Sequence, residues 1–286
     1  MALVGAVALW PFLTSGSDEP VPPQDQGRTW RLTWSDEFDG VAGAPDPAKW
    51  TLVNGHLGYN GELEYYTPRN AAVDGRGHLV ITARNDDAWQ YDCSPRKCAA
   101  TSARLFTAGK FSQTYGRLEA RIKVPRGQGM WPAFWALRSP EGSGRGEIDV
   151  MENIGREPKR IHGSLHGENG YDATKSHELP GHQALADDFH VFAADWFPDH
   201  IAFSVDGRTY SVKHKADEPG GWNFDQPFYL LLNLAVGGDW PDAPDSTTVF
   251  PQQMVVDYVR VFSAAPAPDG AGRPTPAPGP AISAGR

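Results

Sequence analysis

Apolar and polar residues alternate at a period of two along most of this chain, and no dozen consecutive residues keep the 3.6-residue spacing of a helix. A chain patterned this way can fold only into strands with one buried and one wetted face. Trp30, Leu32 and Trp34 alternate, as do Leu79 and Ile81. Leu118, Ala120, Ile122 and Val124 alternate against Arg117, Glu119, Arg121 and Lys123. Further strand-like runs cover 161–166, 190–197, 228–236 and 254–262. Asp206-Gly207, between Phe203-Ser-Val205 and Tyr210-Ser-Val212, is a pair that tolerates the positive φ angles of a two-residue hairpin turn. No repeat of 20–50 residues is visible. The expectation is one all-β domain over 28–264. With so many strands, the edges are best managed by stacking two antiparallel sheets, one concave, whose hollow forms a groove suited to a polymer lying across it.

The flanks differ in composition. Ala2 to Leu13 is an apolar run too short to span a bilayer but right for a signal peptide, and Thr14 to Gln26 is rich in Pro, Ser and Asp. Residues 1–27 therefore read as a signal-like segment and polar leader, and 265–286 as a Pro/Ala/Gly-rich tail with little to bury. Export is expected, with no stable membrane span. Cys93 and Cys98, the two cysteines of the chain, could close a small loop disulfide in an oxidising compartment or remain free thiols. A formal net charge of -9 argues against a nucleic-acid partner, which requires a positive face. Ten Trp, nine Tyr and thirteen Phe suit either a core or flat surfaces for the C–H faces of sugars. A neutral polymer and a monomeric protein are the expectation.

The sharpest feature is Gly146-Glu147-Ile148-Asp149-Val150-Met151-Glu152-Asn153. On a helix, Asp149 and Glu152 would point away from Glu147, and the β-branched neighbours disfavour helix. On a strand, Glu147 and Asp149 share a face, and Glu152 joins them only if a β-bulge near Met151 absorbs one residue. Three clustered carboxyls cost stability unless chemistry uses them. Two carboxyls about 5–5.5 Å apart suffice for a retaining glycosidase, one as nucleophile and one as proton donor. A third acid between them pushes the protonation equilibria apart, so that one stays protonated near neutrality. A solvated acidic face or an oxygen-rich metal site are the competing readings.

These residues sit among eight segments that resemble glycoside hydrolase family 16, and within it the laminarinase-like endo-β-1,3-glucanases: TWSDEFDG at 33–40, NGELEYYT at 60–67, YGRLEARIKVP at 115–125, GMWPAFWAL at 129–137, GEIDVMEN at 146–153, HGSLHG at 162–167, NLAVGGDWP at 233–241 and DYVRVF at 257–262. The resemblance implies a jelly-roll, concanavalin A-like sandwich, with Glu147 as nucleophile, Glu152 as acid/base, Asp149 assisting, and no cofactor for catalysis. It also implies sugar contacts from Asn60, Glu62 and His166, although Glu64 stands where family members carry Gln. Trp131 and Trp135, four apart on a strand, face one side and could floor the groove or pack in the core; Trp240 follows Gly237-Gly238, whose flexibility would let it approach the sugar. A structural calcium at Glu37, the Gly77 carbonyl and Asp257 is implied as well. The six-residue acid motif also occurs in agarases and carrageenases, so mixed-linkage glucan, a galactan, transglycosylation, or non-catalytic glucan binding on the same fold stay open.

Overall fold

The computed structural model describes residues 29–265, apart from 182, 218 and 219. The leader and nearly all of the tail lie outside them. Two sheets stack face to face around one core. The first runs in the order Asp172–Glu178, Arg160–His166, Glu147–Glu152, Met130–Arg138, Phe228–Val236, Arg104–Phe106, Thr51–Leu52. The second runs Arg208–His214, His200–Val205, His190–Trp196, Gly116–Lys123, Gln252–Ala265, Leu79–Ala83, Ala71–Val73, with Thr29–Asp36 also paired to the long Gln252–Ala265 strand. Every pairing within the two sheets is antiparallel. Among the described residues, helix is confined to five single 3-10 turns. The order jumps across the sequence, as in a jelly roll.

Strand parity explains the layering. In Gly116–Lys123, Leu118, Ala120 and Ile122 are buried while Arg117, Glu119 and Arg121 face out. Leu79, Ile81, Phe192, Phe203, Val259 and Val261 join them from the second sheet, against Phe134, Ala136, Ile148, Leu165, Leu230, Leu232 and Leu234 from the first. Each such side chain stabilises the fold by about 1.5–3 kcal/mol. Phe228–Val236 is buried along its whole length, and Tyr229, Asn233 and Ala235 on its second face lie at the bottom of a cleft. The 206–207 turn is as expected, with φ of 49° at Asp206 and 75° at Gly207.

One alternation does not hold as a buried stripe. Leu32 is exposed, because the register of Thr29–Asp36 slips between Leu32 and Trp34, and a slip of one residue turns a side chain to the other face.

Candidate active site

The strand Glu147–Glu152 lies in the middle of the first sheet, between Met130–Arg138 and Arg160–His166. Glu147, Asp149 and Glu152 pair with Leu137, Trp135 and Ala133 on one side, and with His166, Ser164 and His162 on the other. Both registers slip between Asp149 and Glu152, so Val150 and Met151 together span one step and both are buried in the core. That is the bulge the acid spacing requires. All three acids consequently line a cleft of about 1010 Å³ on the outward face of this sheet.

Their environments differ. Asp149 is fully buried, and burial, together with the charges of Glu147 and Glu152, raises its pKa well above the ordinary carboxylate range. The cation beside it is His166, whose Nε2 lies 3.1 Å from Asp149 Oδ2. This is an ion pair rather than an aligned hydrogen bond, and Oδ2 has no well-directed donor. His166 Nδ1 lies 2.6 Å from Asp172 Oδ1, which Arg145 holds at 2.5 Å. Asp149 above all, and then Asp172, raise the His166 imidazole to about 10, which favours its protonated form. Glu152 is raised to about 7 by burial and the charge of Glu147, against the opposing hydrogen bond from Trp131. Trp131 Nε1 donates to Glu152 Oε1 at 3.0 Å, and Ser164 Oγ approaches Oε2 at 3.4 Å. An acid titrating near 7 is able both to give and to take a proton at neutral pH.

The aromatics have divided duties. Trp131, Trp135 and Trp240 all line the cleft. Trp131 meets the edge of Trp240 at 90°. Trp135 donates Nε1–H to Asn233 Oδ1 at 2.7 Å, and the guanidinium of Arg104 covers its ring at 4.7 Å, so one indole face is already occupied. Gly237 and Gly238 pack closely against the neighbouring loop. A Cβ on Gly237, at φ 71°, would lie 2.6 Å from Leu63 Cδ1, and one on Gly238 would lie 2.9 Å from the Asn60 carbonyl oxygen. Asn60 and Glu62 form a wall of the cleft, Asn60 Nδ2 donating to Glu62 Oε1 at 3.3 Å. Cys93 and Cys98 are joined as a disulfide across a short hairpin, with Cys93 Sγ against the carbonyls of Leu63 and Glu64 behind that wall.

Sequence parity alone could have added His162 and Ser164, which alternate with His166 on one face. Arg104, Arg145 and Asp172 come from other strands and a loop and carry no local signal, whereas Asn233 opens the family-like segment at 233–241.

Two groupings bear on metal binding. Glu147, Asp149 and His166 place ligand atoms within 4.8 Å of one another. Here His166 already faces Asp149 through Nε2 and Asp172 through Nδ1, so a metal would have to displace those contacts. The calcium donors also lack a fit as they stand. Both oxygens of Glu37 accept from Arg260, at 3.0 and 2.7 Å, and Asp257 Oδ2 accepts from Arg121 at 2.7 Å. A cation would have to displace guanidinium groups, and no step below involves one.

A jelly roll bearing two carboxyls, a buried third acid and indoles in an open cleft defines a carbohydrate-cleaving enzyme. The family model for glycosyl hydrolases family 16 matches residues 63–260. A beta-glucanase of Rhodothermus marinus is 41% identical over 271 residues, which is 86% of this chain and 88% of that protein. The glucan endo-1,3-beta-glucosidase A1 of Niallia circulans is 36% identical over 263 residues, 81% of this chain but 37% of that longer protein. The endo-beta-1,3-glucanase structure from Pyrococcus furiosus superposes with a TM-score of 0.77 at 42% identity, covering 87% of this chain and 99% of that one. The chain belongs to glycoside hydrolase family 16.

Proposed function

We propose that this protein cleaves internal β-1,3 linkages of laminarin-type glucan with retention of configuration, by double displacement. The observation that carries the reading is the bulged strand, which turns Glu147 and Glu152 to one cleft face while holding Glu152 near 7. A Glu147 carboxylate oxygen attacks the anomeric carbon as the glycosidic C–O bond breaks, and Glu152 delivers its proton to the departing oxygen. Glu152, now ionised, takes a proton from water, whose oxygen attacks the same carbon and frees Glu147. Trp131 occupies Oε1 of Glu152, which leaves Oε2 to carry the mobile proton. Asp149 and His166, 3.1 Å apart, sit beside the two carboxyls and set the electrostatic surroundings in which this proton moves.

Trp131, Trp135, Trp240, Asn60, Glu62 and His166 are the proposed sugar contacts. The names of the β-1,3-glucan-cleaving relatives favour that polymer, and the formal net charge of -9 favours a neutral chain over a sulfated galactan. The open cleft favours cleavage within chains. The disulfide and the apolar leader favour export.

Side-by-side digestion of laminarin, barley mixed-linkage glucan, agarose and cellulose tests this. Laminarin viscosity should fall early with a spread of oligosaccharides, and cellulose should be nearly untouched. Glucose released alone at constant viscosity would refute endo action; faster cleavage of barley glucan or agarose would reassign the substrate.

A further inference from the structure

Behind the Asn60–Glu62 wall lies a carboxyl group that the chemistry above does not use. Glu64, on the short strand Glu64–Tyr66, is fully buried. Its Oε2 accepts a 2.7 Å hydrogen bond from the Val236 N–H, while its Oε1 is buried without a partner. No ion pair to it occurs among the described residues. The Glu62 side chain is in contact with that of Glu64, and its own oxygens are weakly held, Oε1 at 3.3 Å from Asn60 Nδ2 and Oε2 at 3.4 Å from the buried Tyr66 hydroxyl.

A carboxylate with an orphan oxygen beside a second carboxylate is disfavoured twice, by lost hydration and by like charge. A carboxylic acid removes both costs, because its O–H becomes a donor aimed at the neighbouring charge. We infer that Glu64 is a positioning residue that keeps its proton and donates it to Glu62, locking the Glu62 carboxylate as an acceptor for a sugar hydroxyl in the cleft. Burial, reinforced by the charge of Glu62, raises the Glu64 carboxyl well above its ordinary range, which agrees with that role. The groups facing the pair are Glu62 itself, the Tyr66 phenol and, acting on Tyr66 from the cleft side, Arg104. The lock has a rigid backing. The N–H of Leu63 donates to the Val236 carbonyl and that of Asp239 to the Asn60 carbonyl, at 2.9 and 2.7 Å. A hydroxyl bound by a fixed, charged acceptor gains affinity without paying to order it.

The inference rests on the proposed glucan cleft and is tested by two substitutions and a spectrum. Glu64→Leu keeps the volume and removes the donor, so KM for the polysaccharide that the wild type cleaves should rise about tenfold while kcat holds. Glu64→Gln supplies a neutral N–H donor in the same place and should restore KM. The infrared difference spectrum of wild type minus Glu64→Gln at neutral pH should contain the C=O stretch of a protonated carboxyl. A carboxylate band in its place, or equal KM values in Glu64→Leu and wild type, or Glu64→Gln as impaired as Glu64→Leu, would overturn the inference. Should Glu64→Leu fail to fold, the spectrum and Glu64→Gln decide. A wild type inactive on every glucan would remove the proposed function, yet leave the spectral result to be read on its own.

Discussion

The outward faces of the two sheets both carry charged groups and use them in opposite ways. On the second sheet, Arg117 contacts Glu119 at 2.8 Å and Asp195 at 2.6 Å, Tyr258 donates to Glu119 at 3.0 Å, and Arg260 grips Glu37. The Arg260 guanidinium lowers Glu37, and the carboxylates of Asp195 and Glu119 raise Arg117 against its burial. On the first sheet, three acids share one imidazolium, and two of them are pushed up instead. Paired charges hold a surface together; under-paired ones store a proton ready for transfer.

The largest effect should come from breaking the under-paired face. Glu147→Ala and Glu152→Ala should each cut laminarin hydrolysis by about 10³-fold or more. Added azide with an activated aryl glucoside separates the roles. Glu147→Ala should give the α-glycosyl azide and Glu152→Ala the β-anomer, read by NMR; exchanged products would swap the assignments.

Stability should follow pH with opposite signs on the two faces. The folded value of Glu152, about 7, exceeds its unfolded value, so its contribution is complete below the ordinary range and is lost as pH rises through 7. Relative to Glu152→Gln, the wild type should therefore lose on the order of 3 kcal/mol between about pH 4 and 8 by denaturant titration. Glu37 is lowered, so its contribution is lost as pH falls. A flat difference for Glu152 would remove the stored-proton reading.

Arg117→Met, on the paired face, should cost about 2 kcal/mol and lower Tm by about 4–8 °C, since Glu119 and Asp195 lose their counterion, with kcat unchanged. Trp131→Phe keeps the ring but loses the N–H that lowers Glu152. The alkaline limb of kcat/KM should move upward by about one pH unit. The smallest effect is expected from chelation. With Glu37 and Asp257 held by arginines, EDTA should shift Tm by less than about 2 °C; a larger fall would restore the calcium.

Strand parity is a property of the backbone, and residues two apart face the same way wherever the strand lies. For that reason the alternation in 116–123, the 206–207 turn and the need for a bulge beside Met151 were legible in the sequence. So was the shared face of Trp131 and Trp135, and the eight family segments placed Glu147, Asp149 and Glu152 together. Partnership across strands is a property of register and sheet order, which no local pattern encodes. Only the folded chain brought Arg145 and Asp172 to His166, laid Arg104 over Trp135, set Trp131 on Glu152, turned Leu32 outward, and gave arginines to Glu37 and Asp257. A carboxyl takes its role from the charge and solvent around it, and those arrive with the tertiary structure.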